Sequence, residues 1–456
     1  MFHRFIFTIF LVSFFTSSIS LNAEGIEGKW IGKLDITPQV SLRIGLDISK
    51  NTAGEPVVTM DSPDQGAYGI PAETDFLSTD SIALRIPSIQ MTYSGRLKND
   101  EISGIFSQGP LSLPLILQRN NEDPVFKRPQ TPQPPFPYTT EDLILPGGDE
   151  DILLGGTLTL PENYSSQTPC VVMVTGSGLN NRDEEIFGHK PFAVIADFLA
   201  RNGIASFRYD DRGTGQSTGE HAETTTATKA DDARVVLNYL NQNRQFSKTG
   251  LLGHSEGGLV ALMLANDNKT MPDFIIGIGT PSLRGDSILI DQNIYFLKKG
   301  GMPQQIIDDY QTALSKILQY RIDNPGCVIP EEIWAEICPE WGNKLFYKEL
   351  LSNLKNGFGS PLKWLDYFIA YSPSQTIKSV NIPALLLYGE KDTQVNSKLN
   401  APVVQSLNPA ITVEVLTGLN HLMQNAKTGD ITEYNEIEET ISPEVLQKIT
   451  DFINSQ

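Results

Sequence analysis

At 456 residues the chain is longer than one ordinary domain, and with 40% hydrophobic and 20% charged residues it has the apolar content for real cores, which excludes a disordered polypeptide. Its 35 Lys and Arg against 54 Asp and Glu give a formal net charge of −19. That balance argues against nucleic acid, whose binding rests on neutralising phosphates, and more weakly against anionic membranes.

His3 and Arg4 precede an apolar run from Phe5 to Phe15, and Ser17, Ser18, Ser20 and Ala23 follow. A short basic region, about 11 apolar residues and a small-residue tail read as a secretory leader over 1–23, cleaved after Ser20 or Ala23. The run is too short to span a bilayer, which takes about 20 residues. The expectation is an exported protein, periplasmic or extracellular, with no stable membrane anchor once the leader is removed.

From about residue 24 to 119 the pattern is period-two. Lys29 to Ile36 and Ser41 to Ile48 alternate, and further short runs follow at Val57–Met60, Ile82–Ile86, Met91–Tyr93, Glu101–Phe106 and Leu113–Leu117, separated by Asn, Asp, Gly and Pro. Such spacing predicts a small antiparallel all-β domain, a barrel or a sandwich. Trp30, Tyr68 and Tyr93 are read there as core or interface aromatics. Residues 120–138 carry Pro124, Pro129, Pro132, Pro134, Pro135 and Pro137, a stiff extended linker.

The second domain is expected over 139–456. A strand over Leu153–Leu160, a fully apolar strand at Cys170–Val174, a helix from Pro191 to Asn202, a strand at Ile204–Tyr209, an amphipathic helix over Ala230–Asn243 and a strand at Phe274–Ile278 alternate in the manner of a parallel sheet covered on both faces. From about 282 to 380 only helical patterns appear, which predicts a helical cap inserted over the sheet's carboxyl edge. Strands resume at Ala384–Tyr388 and Thr412–Leu416, and Ser442 and Pro443 open a last helix. Cys170 reads as a buried small hydrophobe, Cys327 and Cys338 bracket a short segment and leave pairing open, and no Cys/His spacing suggests zinc.

Between the apolar Gly250–Leu252 and Leu259–Ala265 lies Gly253-His254-Ser255-Glu256-Gly257, a Gly-x-Ser-x-Gly turn that presents a serine between strand and helix. A serine nucleophile needs a base, and the base an orienting acid. Of the five histidines His3 lies in the leader; the others are His189, His221, His254 and His421. His254 adjoins the serine and should point elsewhere, His189 precedes the nucleophile, and His221 sits in a polar loop. His421 follows the last strand, where a base would drop onto Ser255. Asp392, in Gly389-Glu390-Lys391-Asp392 after the penultimate strand, is a better acid than Glu390, which stands nearer the strand end. The oxyanion of a tetrahedral intermediate would be held by backbone N–H groups of Glu256 and of Ser177, with Gly178 as alternate, in the loop Thr175-Gly176-Ser177-Gly178. Arg182, His189, Asp211 and Arg212 lie in loops near the same edge and are candidates for substrate contact or loop support.

These stretches, together with Arg182-Asp183-Glu184, His189-Lys190-Pro191-Phe192, Arg208-Tyr209-Asp210-Asp211-Arg212-Gly213 and Asn420-His421, resemble bacterial exported α/β-hydrolases of the serine-aminopeptidase-like, esterase-type group, and the front domain, with Gly28-Lys29-Trp30-Ile31-Gly32, is similar to the β-domain of exported members. The resemblance implies an α/β-hydrolase fold with a helical cap, preceded by the all-β domain. It implies hydrolysis of short-chain carboxylic esters, a small-molecule substrate, through an acyl-enzyme, with no cofactor and no metal. A peptidase or acyltransferase using the same triad is the alternative, and a non-catalytic ligand-binding protein a second.

Overall fold

The structure, a computed structural model, describes residues 25–37, 40–51, 54–63, 67–89, 91–98, 100–108, 111–120, 127–267 and 270–456. The leader read over 1–23 lies outside the described residues. The chain divides into two compact units, the first of them centred on the strands before residue 120 and the second beginning at Arg128.

The first unit is a closed antiparallel barrel of eight strands: β1 (Gly28–Thr37), β2 (Val40–Lys50), β3 (Pro56–Ser62), β4 (Ala67–Leu77), β5 (Ser81–Ile86), β6 (Met91–Lys98), β7 (Glu101–Gln108) and β8 (Leu111–Arg119). Each strand pairs with the next, and β8 returns to β1 through Gly32 opposite Leu117. Closure leaves no free edge. Alternate residues point inward, so Trp30, Leu34, Ile44, Leu46, Ile82, Leu84, Tyr93, Ile102 and Leu117 form one apolar core. Trp30 donates its indole N–H to the Ile26 carbonyl, and the Tyr93 hydroxyl donates to the Ile102 carbonyl, so these two aromatics are core residues. The side chain of Tyr68 lies outside what is described.

The second unit has an eight-stranded sheet. Its strands are β9 (Tyr138–Pro146), β10 (Leu153–Pro161), β11 (Cys170–Val174), β12 (Ala205–Tyr209), β13 (Thr249–His254), β14 (Ile275–Ile278), β15 (Ala384–Gly389) and β16 (Thr412–Leu416), in the order β16-β15-β14-β13-β11-β12-β10-β9. From β12 to β16 all pairings are parallel, while β10 runs antiparallel to both β12 and β9. The sheet is therefore mixed rather than parallel throughout, and it holds a strand, β9, that the sequence pattern does not reveal. β9 lies at the sheet edge with mostly half-buried or exposed residues, so its apolar alternation is weak, and the short link from Pro146 to Leu153 forces a hairpin.

Helices cover both faces. Cys170, Val172 and Val174 pack under α2 (Thr226–Asn243), α3 (Glu256–Leu264) and α10 (Ser397–Leu407), whereas Val171 and Met173 pack against α1 (Pro191–Arg201) and α11 (Pro443–Asn454). The period-two split of one fully buried strand between two cores is the physical content of its unbroken apolar run. Between β14 and β15 stand α4 (Gly285–Lys299), α5 (Gln304–Asp323), α6 (Glu331–Ile337), α7 (Leu345–Phe358), α8 (Lys363–Ala370) and α9 (Ser374–Ser379). The first five share a third core, which Leu259 of α3 joins from the sheet side. Cys338 is buried there and Cys327 is exposed; all three cysteines are free.

Candidate active site

Strand β13 ends at His254 and α3 starts at Glu256, so the reversal of direction falls on Ser255 alone. Its backbone sits at φ 52°, ψ −118°, a left-handed conformation that a non-glycine residue holds only when its surroundings impose it. They do so here. The Ser255 N–H donates to the Ile278 carbonyl at 2.7 Å, and a Cβ on Gly253 would lie 2.0 Å from the Gly257 carbonyl oxygen, so strand and helix meet too closely for any other residue.

Asp392 and His421 come together over the neighbouring strand. Asp392, after β15, is buried, and its Oδ1 accepts from the N–H groups of Gln394 (2.8 Å) and Val395 (2.7 Å). The other oxygen, Oδ2, is left for His421, whose Nδ1 lies 2.7 Å away. One carboxylate oxygen is thus fixed by the loop's own backbone and the other orients the imidazole. Glu390 is exposed and accepts from the Gly418 N–H instead. Both partners rest over Gly279 at the end of β14: a Cβ there would lie 3.0 Å from His421 Nδ1 and 3.3 Å from Asp392 Oδ2, and its φ of +58° also suits glycine. The three strands β13, β14 and β15 are adjacent and parallel, so Ser255, Gly279 and Asp392 leave the same edge.

The loop that carries His421 is closed on itself. The Asn420 N–H donates to the Gln424 carbonyl at 3.0 Å, and the Asn420 side chain accepts from the Gln424 N–H at 2.9 Å. Gln424 Nε2 in turn lies 3.0 Å from His189 Nε2, and His189 Nδ1 lies 2.9 Å from the Thr440 hydroxyl. His189 is wholly buried and bonded to this loop. His221 is exposed on a short turn, His221–Glu223.

Ser177 and Gly178 follow β11, half-buried, with Gly178 at φ 101°. Among the described residues neither the Ser177 nor the Glu256 N–H donates to a protein acceptor. The loop before them is held from beneath by a buried ion pair. Lys229 of α2 donates to the Gly176 carbonyl at 2.6 Å and lies 3.0 Å from Asp211 Oδ2, while Asp211 accepts from the Thr175 hydroxyl at 2.8 Å. Burial works against the ammonium, but Asp211 alongside raises Lys229 above the ordinary lysine range, so it stays charged. Arg182 is bound to Asp210, with Thr157 and Gln216 at 2.8 and 2.7 Å, and Arg212 is forked onto Asp232 with Asp149 at 2.6 Å. Arg182, His189, Asp211 and Arg212, the candidates for substrate contact or loop support, are each bonded to neighbouring loop residues.

Three features escaped sequence reasoning. His254 turns away from Ser255 but reaches the carbonyl of His421, 3.1 Å from its Nε2, and Glu184, 3.0 Å from its Nδ1. Lys229 lies under the loop before Ser177. The side chain of Glu256, buried beside the serine, accepts from the Thr226 hydroxyl and from the indole N–H of Trp364 on cap helix α8 at 2.9 Å. Glu184 stood inside the Arg-Asp-Glu stretch and His254 inside the elbow, so both were visible as residues, but no local pattern pairs them. Nothing in the sequence singles out Trp364.

A family described as serine aminopeptidase, S33, matches residues 190–286, which include α1, β12 and the elbow. The chain is 26% identical over 272 residues to esterase EstD of Thermotoga maritima, a match spanning 59% of this chain and 58% of that esterase's length. Among solved structures it is similar to the Pyrococcus furiosus esterase Pf2001 (15% identity, TM-score 0.43, 70% of this chain and 91% of that one) and to Est1E from Butyrivibrio proteoclasticus with ferulic acid bound (14%, 0.41, 69% and 98%). The elbow after a central parallel strand, the acid and histidine loops after the next strands and the helical insertion between them make the second unit an α/β-hydrolase fold.

Proposed function

We propose that the protein is a serine carboxylesterase that works through an acyl-enzyme. Ser255 Oγ attacks the acyl carbon, and His421 takes its proton and returns it to the leaving alcohol. Asp392 holds the imidazole tautomer, and the N–H groups of Glu256 and Ser177 stabilise the oxyanion. Water then attacks the acyl-serine with His421 again as base. The observation that carries this reading is the Asp392 carboxylate, saturated on one oxygen by backbone and turned by the other onto His421 at 2.7 Å, over Gly279 and next to the strand that leads into Ser255 in its left-handed turn. The likeness to EstD supports an ester as the substrate. Each group has one task, and none of the steps calls for a cofactor.

Ser255→Ala is expected to lower p-nitrophenyl acetate turnover by at least about 10³-fold with the melting temperature retained. Turnover at the unsubstituted level in that variant would refute the assignment. The matched family's description gives one specific reason for a second reading, a peptidase on the same triad. Aminoacyl amides cleaved with higher kcat/KM than simple esters would decide for it.

A further inference from the structure

The polar atoms around Ser255 contain a second hydrogen-bonded series that the triad does not use. It begins at the Gly176 N–H, which donates to Glu184 Oε1 at 2.7 Å. The same oxygen lies 3.0 Å from His254 Nδ1, and the far nitrogen of that ring lies 3.1 Å from the His421 carbonyl oxygen. Gly176 immediately precedes Ser177, His254 immediately precedes Ser255, and His421 is the base. One buried series therefore ties together the backbone of the oxyanion loop, the elbow and the base. From this geometry we infer that Glu184 and His254 are positioning residues, a clamp that fixes the His421 peptide against the loop carrying the Ser177 N–H.

Three observations support it. Both ring nitrogens of His254 face acceptors, Glu184 Oε1 and the His421 carbonyl, and only an imidazolium offers N–H on both nitrogens. Burial disfavours that cation, yet the Glu184 carboxylate, by charge and by hydrogen bond, outweighs it and moves His254 above the ordinary histidine range. Secondly, Glu184 holds a left-handed backbone (φ 51°), as Ser255 does (φ 52°), so its turn is shaped to deliver this side chain rather than relaxed. Thirdly, among the described residues the imidazole of His421 is hydrogen-bonded through Nδ1 to Asp392 alone, which leaves ring tilt to be set by the backbone; the His254 ring, 4.7 Å from that of His421, supplies the second point of hold. A clamp of this kind acts on the transition state, where base and oxyanion donors must both be in place, and leaves ground-state binding largely alone.

This inference rests on the triad reading, and the experiment separates the two. Full-length protein and its His254→Ala, Glu184→Ala and Glu184→Gln variants are titrated with a fluorophosphonate, and ester turnover is expressed per labelled serine. The expected result is a fall in kcat of about 10²-fold for either alanine variant with KM within about threefold. The double alanine variant should be no worse than the singles, because both cut one series. Glu184→Gln keeps an acceptor for the Gly176 N–H but cannot hold the cation, and should fall between. It is nearly isosteric and serves if an alanine variant does not fold. Unchanged kcat per labelled serine with only a lower melting temperature, or a loss confined to KM, would overturn the clamp while leaving the triad standing. A parent protein that takes no label at Ser255 would overturn both.

Discussion

A carboxylate beside an imidazole does different things according to which other bonds it makes. Asp392 spends one oxygen on two backbone N–H groups and turns the other to His421, whereas Glu184 puts a backbone N–H and His254 on the same oxygen. The second pair has a consequence for stability. His254 is raised in the folded protein above its ordinary value, so its contribution is fully present below the unfolded value of about 6.5 and is lost as pH rises through the raised one. The melting-temperature advantage of the parent protein over Glu184→Gln should accordingly shrink as pH rises above about 6.5. Paired melting curves across that range test it, and an advantage that grows with pH would contradict the charge state assigned to His254. At this scale the sequence was readable where a residue's proposed task follows from its place after a strand, as for Ser255, Asp392 and His421 in the proposed triad. It was silent where the task depends on a partner far along the chain, since His254 is 70 residues from Glu184 and 167 from His421.

Among the elements, the cap is joined to the elbow at one notable point. Trp364 of α8 donates its indole N–H to the buried Glu256 carboxylate and stacks on Phe368 with ring centroids 5.1 Å apart. Because Glu256 begins α3 directly after Ser255, the position of α8 bears on the helix start that supplies the proposed oxyanion N–H. Trp364→Phe keeps the stacking but leaves the carboxylate with the Thr226 hydroxyl, and hydrogen bonds to buried charged groups contribute roughly 1.5–3 kcal/mol. A loss of stability of that order in denaturant unfolding is expected; none would mean that the indole bond carries no net energy. The same elements show where pattern reading stops. The amphipathic α2 and the buried β11 announce themselves, but β9, exposed on an edge and preceded by prolines, does not, and the antiparallel course of β10 is set by the hairpin it makes with β9.

At the scale of the whole molecule the two units have separate apolar cores, one inside the barrel and three in the α/β-hydrolase unit. The beginning of the second unit is pinned within it: Arg128 donates to the carbonyls of Phe187 and Ile437, and Gln130 to that of Ile441. A chain limited to residues 127–456 should therefore fold by itself and keep fluorophosphonate labelling at Ser255, checked by circular dichroism and mass spectrometry of the labelled peptide. An unfolded product would contradict independent folding of the second unit.

The sequence by itself determined the alternation of strands and helices, the all-β character of the first unit, the helical insertion and the three residues of the proposed triad. Those follow from hydrophobic period and from turn chemistry, both of which act over a few neighbouring residues. Only the tertiary structure decided that the barrel closes, that Arg182, His189, Asp211 and Arg212 are bound in loop-supporting networks, and that His254 spans from Glu184 to His421. Buried polar groups must find partners wherever the fold brings one within reach, and that partner is chosen by packing in space, not by spacing along the chain.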